Sequence, residues 1–351
     1  MFVLSCTGKW CARLAVCVFV SVAHMSIAAA AAGPSDEPIR LVPDNLFHVK
    51  FVDESRAWIT GYHGTVLRSD DGGDSWSYMP VQADELIRRG AFPQRDTAWL
   101  VGHRGSIFHT RDAGKHWDVS HHEAGTYLRD IAFFDENTGW AVGHEGLILH
   151  TSDGGQHWVR QSISDWTMRD LPRLSGITIL DRQRIVIVGE FGVVAYTTDG
   201  GRSWAHERID GGPSMTAIDS SGETILAVGL DGAVAAIAYS PDGLAASLLP
   251  MNIPTHLLDV RITPMGVLVC GFGVVVHCAN LQSCAVQKTT EAFPSDYLWL
   301  GGVDLAPDGS VWAVGLGGHV GQSPSVATPM DTAFVLGGEG WQSRQAMETA
   351  K

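Results

Sequence analysis

Carboxylate side chains recur at one position of a short pattern, and a carboxylate can serve as a general acid, a general base or a turn-stabilising acceptor. The pattern is Ser/Thr-x-Asp-x-Gly-x-x-Trp, an Asp box. Its four copies contain Asp71 and Trp76, Asp112 and Trp117, Asp153 and Trp158, and Asp199 and Trp204. The hydroxyl and carboxylate can bond backbone groups of a tight turn, the glycine permits a positive φ, and the tryptophan covers the turn. Because four copies serve one repeated need, we expect these aspartates to hold turns and not to catalyse a reaction.

Histidine and glutamate side chains, which are common metal ligands, occupy a second pattern, Gly-x-x-Gly. His103, His144 and Glu190 lie between the glycines of different copies. Equivalent positions on neighbouring sheets are about 10 Å apart, whereas the ligands of one ion lie about 2 Å from it. We therefore expect no metal site and no cofactor, and we interpret His103, His144 and Tyr62 as parts of a polar rim that binds a partner.

Arginine is concentrated in one part of the chain, since 13 of the 19 arginines lie between residues 86 and 208. Arg88 and Arg129 occupy equivalent first-strand positions in neighbouring copies. The arginines in or near the predicted rim are Arg88, Arg89, Arg104, Arg129, Arg169 and Arg173. One interpretation is a basic patch that binds a carboxylate-bearing or acidic protein segment. The alternative is scattered, solvated charge paired with nearby carboxylates.

Both patterns belong to one longer repeat. The second glycine of Gly-x-x-Gly falls at residues 64, 105, 146, 192, 232, 273 and 318, so the period is 40 to 46 residues. Within residues 128–162, four short apolar or β-branched runs alternate with Gly, Asp and Asn turns, which is typical of strands. Four strands at this period are typical of a propeller blade. The sequence therefore predicts an all-β, seven-bladed β-propeller over residues 38–323, followed by a C-terminal tail, residues 324–351.

The seventh copy supplies only three predicted strands. A fourth is needed because an open sheet edge invites pairing with other chains. We favour Pro38–Pro43 as the segment that provides it, and the alternative is Thr332–Leu336.

Cysteines replace the Asp box in the sixth copy. Cys278 falls where other copies have Ser or Thr, and Cys284 falls one place before the box tryptophan. We hypothesise that a disulfide between them replaces the missing side-chain bonds. Cys270, at a repeat-glycine position, is expected to be a buried thiol.

The N-terminus has the pattern of a secretory signal peptide. Residues 1–32 contain no Asp or Glu, and Lys9 and Arg13 precede an apolar run from Leu14 to Ile27 and a run of alanines. This order predicts cleavage near Ala30 or Ala32, and the alternative is an uncleaved anchor helix.

Cleavage would change the net charge from −14 to −16, because two positive charges are removed and no negative ones. So acidic a protein is not expected to bind nucleic acid. We expect a monomer that does not span the membrane, in the periplasm or another extracytoplasmic space.

The third copy resembles the repeat of the photosystem II stability and assembly factor family. The similarity covers Leu128–Phe133 and the phrase from Gly139 to Trp158, including Gly143, Gly146 and Asp153. It is strong over the first four copies and fades in the last three. The resemblance implies a non-enzymatic scaffold that binds a newly made membrane-protein subunit, partly through an arginine patch. That subunit is the photosystem II reaction-centre protein in photosynthetic members, and it would be another envelope or transporter protein elsewhere.

A glycosidase is the alternative function, because sialidases and some glucanases also carry Asp boxes. The segment Pro38–Pro43, with Arg40, faintly echoes the Arg-Ile-Pro motif of sialidases. The period of 40 to 46 residues leaves no room for the long insertions that build sialidase sites. Turnover of fluorogenic sialosides or glucans would distinguish this alternative from a scaffold.

Overall fold

The computed structural model describes residues 45–240, 243–251, 253–288, 298–318, 320–322 and 342–344. The predicted signal peptide, residues 1–32, and Pro38–Pro43 lie outside these residues. The described strands form seven antiparallel sheets of four strands each, six of them within residues 45–288. The first strand of each sheet contacts the first strand of the next, and the last sheet contacts the first. The predicted all-β propeller fold is therefore confirmed.

The first four blades follow the predicted repeat. Blade 1 consists of β1 (Leu46–Phe51), β2 (Ala57–Gly61), β3 (Val66–Ser69) and β4 (Ser77–Tyr78). Blade 2 consists of β5 (Ile87–Ala91), β6 (Ala98–Gly102), β7 (Ser106–Thr110) and β8 (Asp118–His122). Blade 3 consists of β9 (Leu128–Phe133), β10 (Gly139–Gly143), β11 (Ile148–Thr151) and β12 (Val159–Gln161). Blade 4 consists of β13 (Leu174–Ile179), β14 (Ile185–Gly189), β15 (Val193–Thr197) and β16 (Ala205–Arg208).

The last three blades have the same strand order. Blade 5 consists of β17 (Met215–Ser221), β18 (Thr224–Gly229), β19 (Val234–Ser240) and β20 (Gly243–Leu248). Blade 6 consists of β21 (Leu257–Thr263), β22 (Gly266–Gly271), β23 (Val274–Asn280) and β24 (Ser283–Lys288). Blade 7 consists of β25 (Leu300–Leu305), β26 (Val311–Gly315), β27 (Val320–Gln322) and β28 (Gln342–Arg344). Short 3₁₀ turns follow the second strands of blades 4, 5 and 7, at Glu190–Gly192, Leu230–Gly232 and Leu316–Gly318. Among the described residues, no helix is long and apolar enough to cross a membrane.

Blade 7 takes its fourth strand from a segment that the sequence did not indicate. β28 pairs with β27 in register, so the prediction that Pro38–Pro43 or Thr332–Leu336 fills this place is wrong. The predicted tail, residues 324–351, therefore contains a strand. The outermost strands of blades 1 to 3 are largely exposed, so these strands provide no apolar pattern by which the missing one could be recognised in the sequence.

The tryptophan of one blade packs against the Asp-box glycine of the next. A Cβ atom added to Gly73, Gly114, Gly155 or Gly201 would lie 2.6–3.1 Å from atoms of Trp312, Trp58, Trp99 or Trp140, respectively. All four tryptophans belong to the second strand of the preceding blade and are at most 1% exposed. Only glycine leaves room for such an approach, and each of these glycines also has a positive φ. This contact explains why blades 7, 1, 2 and 3 carry the tryptophan while blades 1, 2, 3 and 4 carry the Asp box.

The Asp box itself is held by hydrogen bonds within the turn. In blade 3, Thr151 Oγ1 donates to Asp153 Oδ1 and accepts from the Gly155 backbone N–H, both at 2.9 Å. The same Asp153 oxygen accepts from the His157 backbone N–H at 2.9 Å. The hydrogen bonds from His157 lower the pKa of Asp153 to about 2. Equivalent bonds occur in the boxes of Asp71, Asp112 and Asp199.

Blade 6 uses a covalent bond where blades 1 to 4 use the box. Cys278 and Cys284 lie opposite each other on β23 and β24 and are joined by a disulfide. Cys270 is a buried free thiol on β22, and burial raises its pKa well above the usual value.

We predict that Thr151→Val destabilises the protein by about 1–3 kcal/mol, because it leaves the buried Gly155 N–H without its acceptor. The free energy of unfolding from urea titration checks this expectation. Thr151→Ser, which keeps the hydroxyl, is the matched control and should lose less. A smaller loss in Thr151→Val than in Thr151→Ser would show that packing of the methyl group matters more than the turn hydrogen bond.

Candidate protein-binding face

A β-bulge recurs at the same place in all seven blades. The register of the first strand shifts directly after its first residue, at the end of the blade that carries the Gly-x-x-Gly turns. A bulge leaves one residue out of the ladder and re-aims its side chain. The seven bulge residues surround one end of the central channel, and we call them the mouth ring: Phe47, Arg88, Arg129, Ser175, Thr216, Leu258 and Gly301.

The Gly-x-x-Gly turns connect neighbouring blades on this same face. The N–H of Gly64 donates to Glu85 O at 2.7 Å, and that of Gly146 donates to Pro172 O at 2.8 Å. Each acceptor lies within two residues of the next blade's first strand. A Cβ on Gly64 would meet two carbonyl oxygens at 2.5 and 2.6 Å, so the turn requires glycine there. The turns thereby fix the positions of the mouth-ring residues.

Cations gather on one side of the mouth ring. Arg88 and Arg129 are bulge residues of blades 2 and 3, and Arg173 directly precedes β13; we call these three the cationic arc. Burial, followed by the charge of Arg129, lowers the pKa of Arg88. Burial and then the charge of Arg173 lower the pKa of Arg129 to about 10. The three guanidiniums therefore repel one another in a partly desolvated place.

Among the described residues, the ion pair of the arc lies at Arg173, while the buried Asp130 acts on Arg88 and Arg129 without pairing with either. Arg173 lies 3.0 Å from Glu190 Oε1, and that carboxylate also accepts from the Arg173 backbone N–H. Within the part of the chain that the structure describes, Arg88 and Arg129 form no ion pair, and the buried Nε of Arg129 has no hydrogen-bond partner. Two cations are thus available to an added anion.

Two predicted rim histidines pack beside the arc around Tyr127. The Tyr127 ring is 5.0 Å from His103 and 5.1 Å from His144. Burial, followed by the charge of Arg129, lowers the pKa of His103 and lowers that of His144 to about 4. Both imidazoles are therefore neutral at pH 7 and can donate or accept a hydrogen bond. In the described ranges, no group of three or more His, Cys, Asp or Glu side chains is arranged to hold a metal ion.

The remaining predicted rim residues are dispersed. Tyr62 packs edge-on against Phe47, with ring centroids 5.2 Å apart. Arg104 is exposed beside a crevice of about 250 Å³ that also borders Tyr62 and His103. Arg169 is 97% exposed in a loop and lies 3.9 Å from Asp170, which fits the alternative of solvated charge. Arg40, the arginine of the faint sialidase echo, lies outside the described residues.

Arg89 borders the mouth pocket, but its charge is paired inside the channel. Its Nη2 atom donates to Asp259 Oδ1 at 2.8 Å across from blade 6. Both side chains are buried, with 10% and 3% exposed. The channel contains a cavity of about 500 Å³ that other charged side chains also line, including His48, Lys50, Asp130, Asp219 and Arg261.

The channel aspartates also join neighbouring blades. Each uses one carboxylate oxygen to accept a backbone N–H from the first strand of the following blade. The pairs are Asp130 with Ile177 (3.0 Å), Asp219 with Ile262 (2.7 Å), Asp259 with Val303 (3.0 Å) and Asp304 with Phe51 (2.7 Å). The last bond joins blade 7 to blade 1. These charges therefore belong to the closure of the ring.

Aromatic residues of the mouth were missed by the sequence reasoning. Phe272 follows β22 and Trp299 precedes β25, and both lie close to Phe47 and Leu258 of the mouth ring. Phe47 and Leu258 occupy the same repeat position as Arg88 and Arg129. An alignment of the copies could therefore have identified these two residues. Phe272 and Trp299 lie outside the strand repeat, and only the folded ring brings them together.

The fold and its turns define an Asp-box β-propeller. The family model described as photosynthesis system II assembly factor YCF48 matches residues 37–124, 75–205 and 119–237, which together cover more than half of the chain. The chain therefore belongs to this family, as the resemblance of its repeats predicted. No curated protein matches the chain.

Solved structures share the fold at low sequence identity. A structure of YCF48 bound to D1 peptide has a TM-score of 0.59 and 17% identity, covering 81% of this chain and 92% of that chain. YCF48 from Cyanidioschyzon merolae has a TM-score of 0.61 and 15% identity, covering 79% and 94%. The WD40 β-propeller domain of Doa1 has a TM-score of 0.58 and 10% identity, covering 79% and 92%. At these identities the similarity shows the fold alone.

We predict that Arg89→Met lowers the free energy of unfolding by about 3 kcal/mol, because Asp259 is left buried without its nearest cation. The loss should lie at the lower end of the range for such pairs, since the charge of Arg261 still acts on Asp259. Adding Asp259→Asn should recover much of this loss by removing the uncompensated charge. Strictly additive losses in chemical denaturation would contradict a direct interaction between the two side chains.

Proposed function

We propose that this protein is a non-enzymatic assembly factor that binds an acidic segment of a membrane-protein client at the channel mouth. Membership of the YCF48 family supports an assembly role, and the structure of YCF48 with a D1 peptide supports a protein client. The observation that carries the proposal is the pair of partly buried guanidiniums, Arg88 and Arg129, which have no ion-pair partner among the described residues.

The electrostatics of the cationic arc favour an anionic ligand. Partial burial and mutual repulsion make the charges of Arg88 and Arg129 unfavourable in the free protein. A carboxylate at this place supplies the missing opposite charge, and a guanidinium can bind it through two parallel hydrogen bonds. Such a contact is worth more here than at a fully exposed arginine, because solvent screens it less.

The host determines the client under this proposal. In a photosynthetic organism the client would be a photosystem II reaction-centre subunit. In another organism it would be a different envelope or transporter protein. Crosslinking in the cell envelope followed by co-purification identifies the client in either case.

We predict that Arg88→Gln combined with Arg129→Gln reduces recovery of the crosslinked client by about 100-fold or more. Each charge-assisted hydrogen bond contributes about 1.5–3 kcal/mol, and the change removes both guanidiniums. Quantitative mass spectrometry of the crosslinked segment measures the effect. Raising the salt concentration should weaken wild-type binding in the same direction.

The matched control is Arg111→Gln combined with Arg202→Gln, two exposed arginines in the Asp boxes of blades 2 and 4. It changes the net charge equally on the opposite face. Thermal unfolding of both variants shows whether the fold is preserved. A client bound equally well by folded Arg88→Gln/Arg129→Gln protein would contradict the proposal.

We also propose that the protein acts outside the cytoplasm, on the basis of the signal-peptide pattern of residues 1–32. The expected result is a mature protein in the periplasmic fraction that begins shortly after Ala30 or Ala32. N-terminal sequencing of protein from fractionated cells measures this. Intact protein that retains Met1 in the membrane fraction would favour the anchor helix, and intact protein in the cytoplasm would contradict export.

A further inference from the structure

An apolar pocket opens directly beside the cationic arc. It has a volume of about 180 Å³ and is lined by Phe47, Leu258, Phe272 and Trp299, with Arg88, Arg89 and Gly301 completing its wall. The rings of Phe47 and Trp299 are 5.0 Å apart, and Phe272 is 46% exposed. The mouth ring is thus cationic on blades 2 and 3 and apolar on blades 6, 7 and 1.

The size and lining of the pocket suit one side chain. A cavity of about 150 Å³ lined by leucine, isoleucine and phenylalanine can hold benzene. The pocket at the mouth is somewhat larger, at about 180 Å³, and four of its lining side chains are apolar or aromatic, while two arginines border it. It is therefore large enough for an aromatic or a branched aliphatic side chain.

The distance between the apolar and cationic parts matches an extended peptide. The guanidinium carbon of Arg88 lies 5.8 Å from the Phe47 ring centroid. In an extended chain, side chains two residues apart point to the same side and are separated by about 6.6 Å. One side chain can therefore enter the pocket while a carboxylate two residues away reaches Arg88.

We propose that the pocket binds an apolar or aromatic side chain of the client segment, two residues from the carboxylate that the cationic arc binds. The inference rests on the proposed function, because the arc provides the anchor for the segment. The complementarity is double: opposite charge at Arg88 and Arg129, and apolar surface at Phe47, Leu258, Phe272 and Trp299. Specificity then comes from the pocket, since a carboxylate alone would be shared by many acidic segments.

Fluorescein-labelled glycine-serine peptides test the proposal by fluorescence anisotropy. Three peptides contain Phe-Ser-Asp, Ser-Ser-Asp or Phe-Ser-Asn, and a further set reverses the order of the three residues. Of the two peptides that contain both Phe and Asp, the one whose order suits the site should bind at least about tenfold tighter than the matching peptide without Phe. The reason is that burial of an aromatic ring contributes more than a tenfold change in the dissociation constant. We expect a similar loss when Asn replaces Asp.

Phe272→Ala tests the pocket in the protein. The ring is half exposed, and its backbone N–H and carbonyl keep their bonds to His256 and Thr255 after the change. Phe272→Ala should weaken the Phe/Asp peptide about tenfold and leave the Ser-Ser-Asp peptide unchanged, whereas Arg88→Gln should weaken both. The matched control is Phe134→Ala, which truncates a 38% exposed ring just after β9 on the Asp-box face and should change neither.

Several outcomes would overturn the pocket proposal. Equal affinity for Phe-Ser-Asp and Ser-Ser-Asp, with both dependent on Arg88, would refute it and leave the proposed function standing. If Arg88→Gln left the affinity for both of these peptides unchanged, the proposed function would be refuted as well. Absence of Phe/Asp binding at millimolar concentration would refute the pocket. Self-association that Phe272→Ala abolishes, with unchanged peptide affinity, would assign the pocket to a second copy of the chain.

Discussion

The close contact between a tryptophan of one blade and an Asp-box glycine of the next is the constraint on which the ring depends. Trp58, Trp99, Trp140 and Trp312 are almost completely buried. A Cβ on the facing glycine would clash with Trp140 and Trp312 and would crowd Trp58 and Trp99. The glycine must in turn adopt a positive φ, which the hydroxyl and carboxylate of the box stabilise through hydrogen bonds. The two repeated phrases are therefore halves of a single contact between neighbouring blades.

Charge in the centre of the ring has a related role. Four aspartates of the first strands accept backbone N–H groups from the following blade, and Asp259 also pairs with Arg89 across the channel. Buried carboxylates are tolerated here because each has donors or a cation nearby. The channel thus contains many charged side chains whose contacts lie within the ring, while the cations suited to an external ligand lie at its mouth.

The mouth combines the consequences of both features. A bulge in each first strand places seven residues around the channel, and their chemical differences divide the mouth into a cationic part and an apolar part. Arg88 joins the two parts, because it lies near Arg129 on one side and over the Phe47 ring on the other. A face of this kind favours a segment that carries both a carboxylate and an apolar side chain.

Local patterns that recur along the chain were enough to predict the repeat, the strand order, the turn chemistry of the Asp boxes and the equivalence of Arg88 with Arg129. The sequence also indicated that Cys278 and Cys284 would flank one turn. It did not reveal β28, since the outermost strands of blades 1 to 3 are largely exposed and offer no apolar pattern by which a further one could be recognised. The tertiary structure alone separated Arg88 from Arg89. Because Arg88 is the bulge residue, its side chain lies at the mouth, whereas the side chain of Arg89 enters the channel. There Arg89 pairs with Asp259, which is 170 residues away in sequence. Successive side chains of a strand point in different directions, and their contacts here come from other blades, which are brought together only when the ring closes.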